Sequence, residues 1–136
     1  MAEPCHLPGT ASGLIRRGFT LIELLVVMAI MATLLAIAAP RFFASMDRAK
    51  ESALRTNLRV LREAIDRHWA DTGQFPDSLQ RLAEVRYLRA VPVDPVTDSA
   101  ATWGPLPHPD GKTAGVFDVR SGAAGLARDG TPFGSW

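Results

Sequence analysis

The sequence predicts an α+β chain in which one long N-terminal helix, apolar in its first half and amphipathic in its second, packs on a small antiparallel sheet with a loop-rich C-terminus. Three observations predict it. The stretch FTLIELLVVMAIMATLLAIAA, Phe19 to Ala39, carries a single charge, Glu23. Further on, Leu54, Leu58, Leu61, Ile65 and Trp69 recur every three or four residues, which places them on one helical stripe. From Pro92 to Gly134 the chain is dense in proline and glycine, which permits only short strands joined by tight turns.

Residues 1–18 form a leader rich in Gly, Pro, Ala and Ser that ends in Arg16-Arg17-Gly18 and has too little apolar surface to pack. The apolar run that follows rises about 31 Å as a helix, close to the hydrocarbon thickness of a bilayer. Three readings of leader plus span compete. In one, Ala36-Ile37-Ala38 is a signal-peptidase site and cleavage after Ala38 releases an exported soluble periplasmic binding domain. In another, Arg16-Arg17-Gly18-Phe19 with Leu21 imitates a twin-arginine export signal. The third rests on Glu23, because a carboxylate inside an apolar span costs about 2.5–3.5 kcal/mol at mid-bilayer and calls for a partner. A position near the helix end, within reach of headgroup water, would remove that cost.

The run Arg17-Gly18-Phe19-Thr20-Leu21-Ile22-Glu23-Leu24-Leu25-Val26-Val27 resembles the N-terminal signature of type IV pilins and type II secretion pseudopilins. That resemblance implies cleavage by a prepilin peptidase after Gly18, N-methylation of the new terminal residue Phe19, and a role for Glu23 in subunit assembly. Helical geometry agrees. Four residues separate Phe19 from Glu23, about 6 Å of rise, so a neighbouring copy shifted axially by that amount presents its terminal amine to the carboxylate. Near a helix start, the carboxylate is also favoured by the helix dipole. The basic residues flanking the span argue the other way on topology. Arg16 and Arg17 precede it, whereas Arg41, Arg48, Lys50 and Arg55 follow, so the positive-inside rule points the C-terminus toward the cytoplasm. A periplasmic C-terminal domain is what the resemblance implies.

The expected helix runs from about Phe19 to Ala70, with Pro40 as a kink and Phe42 and Phe43 at the membrane interface. It ends at Asp71-Thr72-Gly73, where glycine suits a left-handed cap. A second helix is expected around Ser78 to Val85, with Asp77 as its N-cap. Val116 to Arg120 alternates as a strand, Asp110-Gly111 and Asp129-Gly130 read as turns, and Trp103 and Trp136 are expected against the long helix. Two stretches, Arg86 through Pro95 and Asp118 through Trp136, are similar to the general secretion pathway protein G branch of the family. The domains expected are a leader (1–18), a membrane and assembly helix (19–40) and a periplasmic domain (41–136).

Composition excludes several function classes. In 136 residues, 15 basic and 14 acidic side chains leave no broad positive field for nucleic acid. The one cysteine, Cys5, lies in the leader and supports neither an internal disulfide nor a cysteine metal site. His6, His68 and His108 are scattered, and neither Ser121-Gly122 nor Ser135 has the strand-turn-helix setting of a nucleophile. No enzyme is expected. Members of the protein G branch commonly hold calcium in the C-terminal loop, which makes Asp129 a candidate ligand. Against it, Gly122-Ala123-Ala124-Gly125 has alanine where relatives often place aspartate, and one carboxylate is a weak donor set. Asp129-Gly130 reads equally as a simple turn.

The resemblance implies a structural subunit of a type II secretion pseudopilus. Expected partners are further copies of itself, minor pseudopilins, the inner-membrane assembly platform and the prepilin peptidase. Its place would be the bacterial inner membrane, crossed once, with the C-terminal domain in the periplasm. A type IV pilus or competence subunit is the alternative.

Overall fold

The computed structural model describes residues 1–2 and 18–136. Cys5, His6, Arg16 and Arg17 therefore lie outside the described residues. By internal contacts the chain forms two units, Met1–Ala39 and Pro40–Trp136.

Helix α1, Leu21–Thr72, is 52 residues long and contains Pro40 without interruption. It begins two residues later than the apolar run does. Thr20 stops it there by accepting the Glu23 N–H on its side-chain oxygen at 3.3 Å, which satisfies one of the free donors of the first turn. At the other end Gly73 adopts φ 71° and donates its N–H to the Trp69 carbonyl at 2.7 Å, the left-handed cap its sequence position suggests.

Within the unit Pro40–Trp136, α1 buries Leu54, Leu58, Leu61, Ala64, Ile65 and His68. Trp69 does not continue the stripe: it is 51% exposed and stacks on Phe75 with ring centres 6.1 Å apart. His68 takes the inward position instead. Three residues beyond Ile65 rather than four, its Nδ1 lies 2.8 Å from the Gln74 carbonyl oxygen that the turn at Gly73 brings back, so the buried polar atom is satisfied.

Helix α2, Leu79–Glu84, packs Leu79 and Leu82 into the same core. Its N-cap is Ser78, not Asp77. Ser78 has the extended backbone a cap requires and accepts the Arg81 N–H on its hydroxyl. Strands β1, Gly104–Leu106, and β2, Asp118–Arg120, pair antiparallel with Pro105 opposite Val119. The second strand is shorter than its alternation suggests. The Val116 N–H donates to the Pro76 carbonyl at 2.8 Å, which ties that residue to the loop before α2 rather than to β1.

Trp103, Val116, Val119 and Phe133 close the core over α1. Trp103 also donates its indole N–H to the Pro92 carbonyl at 2.7 Å. Beneath the loops lies a polar node that the sequence does not announce. Asp94 is fully buried, accepts the Val96 N–H at 2.8 Å and the Ser121 hydroxyl on its other oxygen, and so joins the two long connections.

Candidate functional site

In the unit Met1–Ala39, Gly18 and Phe19 precede the helix and are exposed, Phe19 by 74%. The bond between them is thus held in no regular structure. Glu23 is the third residue of α1. Thr20 and Glu23 form the Thr-x-x-Glu pattern of a capping box, a signal that reading Glu23 as a membrane charge alone passes over. The Glu23 carboxylate is exposed, and among the described residues it forms no ion pair. Around it Leu21, Ile22, Leu25 and Met28 are each more than half exposed. The helix is long and apolar enough to cross a membrane, and none of its most apolar window is covered by the chain itself. A surface of that kind needs lipid or other helices to cover it.

In the unit Pro40–Trp136 the polar groups serve turns and braces. Asp110 accepts the N–H groups of Lys112 and Thr113, both at 2.9 Å, and the Thr113 hydroxyl. These bonds, the Thr113 hydroxyl first, hold its carboxyl below the usual carboxylate range. The His108 Nδ1 stands 3.0 Å from the same carboxylate and accepts the Asp110 N–H, so the pair closes a turn. Arg62 crosses from α1 to β2, donating to Asp118 at 2.8 Å and to the Val119 carbonyl at 3.0 Å. A groove of about 430 Å³ runs along α1 beside Trp136 and is lined by arginines, Glu63, Asp66 and Leu58.

Asp129 sits in the turn its sequence suggests, with Gly130 at φ 84°. Its Oδ1 accepts the Thr131 N–H at 2.9 Å and the Thr131 hydroxyl at 2.6 Å, while its Oδ2 faces Arg55 at 3.5 Å. The Thr131 hydroxyl, more than any other group, lowers its pKa. This donor set does not fit a calcium ion. It offers one carboxylate, already engaged on both oxygens and beside a fixed positive charge, and among the described residues no cluster of three or more His, Cys, Asp or Glu side chains forms.

A long exposed apolar helix with a carboxylate in its first turn, leading into a small α+β head, defines a pilin-like protein. Residues 15–39 match the prokaryotic N-terminal methylation motif. The chain is 30% identical over 135 residues to the type II secretion system core protein G of Pseudomonas aeruginosa, covering 87% of each chain. It is 27% identical over 138 residues to the core protein G of Klebsiella michiganensis, covering 89% of this chain and 93% of the other. The chain belongs to the type II secretion system core protein G family. Similarity to the type IV major pilin protein PilA of Myxococcus xanthus is higher, 43% over 61 residues, yet spans 45% of this chain and 28% of that pilin. No solved structure matches the chain significantly.

Proposed function

We propose that the chain is a structural subunit of a type II secretion pseudopilus, stored in the inner membrane and assembled into a periplasmic fibre whose growth helps drive folded cargo outward. The observation that carries this is the Glu23 carboxylate, without an ion pair among the described residues, at the start of an apolar helix whose most apolar window is not buried, in a chain aligned along most of its length with core G proteins. Cleavage between Gly18 and Phe19 creates an amine four residues before Glu23. In a packed array of such helices the amine of one copy neutralises the Glu23 of the next, which offsets the burial of both charges and fixes the axial step between subunits. N-methylation of Phe19 leaves that amine basic. Domains follow from this use: a leader, 1–18; a membrane and assembly helix, 19–40, in which Pro40 allows a bend; and a periplasmic domain, 41–136.

The partners are further copies of the chain, the prepilin peptidase, the inner-membrane platform and minor pseudopilins. The action is mechanical rather than catalytic. Similarity to core G proteins along most of both chains favours secretion over a pilus, where similarity stops at about half of this chain.

Replacing Glu23 by alanine tests the reading. Membrane insertion is expected to persist, since the change makes the helix more apolar, while fibre assembly is lost. A Glu23→Ala chain that still polymerises at the normal rate removes the proposed pair.

A further inference from the structure

The C-terminal turn is organised around a positive charge that the chain itself supplies. A terminal nitrogen of Arg55 stands 3.5 Å from Asp129 Oδ2, and the guanidinium carbon lies 4.0 Å from the centre of the Trp136 ring. Trp136 in turn donates its indole N–H to the Thr131 hydroxyl oxygen at 2.9 Å, and Thr131 bonds Asp129 through both its N–H and its hydroxyl. The circuit Arg55, Asp129, Thr131, Trp136 therefore closes on itself. One turn earlier on α1, Glu51 accepts the Arg128 N–H at 2.7 Å, so two successive turns of the helix hold adjacent residues of the loop.

We propose that Arg55 is the resident cation of the C-terminal loop, and that it fastens residues 125–136 to α1 with no divalent metal. Two features of arginine suit it to the task. Its charge satisfies the Asp129 oxygen that Thr131 leaves open, and its planar face covers the Trp136 ring. A calcium ion on the Asp129 oxygen that Thr131 leaves open would have to stand where the guanidinium stands, so metal and arginine are mutually exclusive here. The proposal stands whether or not the chain polymerises.

Amide hydrogen exchange on the full chain in detergent micelles tests it, in calcium and in excess chelator. Exchange over residues 125–136 is expected to be the same in both solutions. In Arg55→Ala it rises about tenfold in that segment while Leu58 to Ile65 stay protected, because an exposed ion pair and an exposed ring contact each contribute modestly and locally. Arg55→Lys keeps the charge without the planar face and restores only part of the protection. The proposal is overturned if chelation alone loosens the loop, or if Arg55→Ala exchanges there at the wild-type rate.

Discussion

Leu61 and Trp69 make the sharpest test of how α1 meets its head. Both belong to the apolar stripe as the sequence is written, but Leu61 has no exposed surface and Trp69 keeps half of its own. Truncating Leu61 to alanine removes a fully enclosed isobutyl group from the core that also holds Leu54, Leu58 and Leu82. Such changes cost about 2–5 kcal/mol. Set against the roughly 5–15 kcal/mol that holds a domain of about 100 residues, this lowers the melting midpoint by roughly 10 °C or more. Trp69→Ala loses one exposed stack on Phe75, about 1 kcal/mol. Far-ultraviolet dichroism is a poor reporter, because detergent preserves helix. Fluorescence of Trp103 serves better: it is buried and hydrogen-bonded, so its emission shifts red when the head opens. Equal losses from Leu61→Ala and Trp69→Ala would refute the packing described for α1.

Three further outcomes are expected. Gly122→Ala places a Cβ onto the Thr102 carbonyl oxygen, which forces backbone movement and costs about 3 kcal/mol, readable as a lower urea midpoint. Arg62→Ala cuts the tie between α1 and β2 and costs about 1 kcal/mol, a small figure because both partners of the pair are more than one-third exposed; the check is faster exchange at the β2 amides. Asp110 and Asp129 both have pKa values below the ordinary 3.8, so the stability they contribute is fully present above that value and is lost as pH falls below it. Amide hydrogen exchange in the Asp129 turn, which contains no histidine, should therefore stay flat from pH 7 to about pH 5 once corrected for intrinsic rates, and protection should fall only under stronger acid.

Much of this architecture is legible in the chain because it rests on local rules. A membrane-length apolar run, a heptad-like stripe, a glycine after the last turn and two Asp-Gly turns all appear where their chemistry places them. What escaped depends on the choice between near-equals. Position 68 or 69 can each follow Ile65 on a 3.6-residue helix, and hydrophobicity alone selects tryptophan, whereas the returning Gln74 carbonyl selects histidine. Ser78 and Asp77 are both good caps, and backbone conformation decides between them. The contacts of Asp94 with Ser121 and of Arg62 with Asp118 join residues far apart in sequence, so no local pattern records them. At the helix start, the Glu23 pattern stood out because a charge in an apolar run is conspicuous, and the same contrast hid the ordinary capping role of Thr20.

Intact mass of the chain recovered from the membranes of its own host tests the central claim most directly. A polypeptide beginning at Phe19 and carrying one added methyl group is the expected result, since only that terminus supplies an amine for Glu23. A chain that keeps residues 1–18, or one that begins at Ala39, would contradict assembly through this helix.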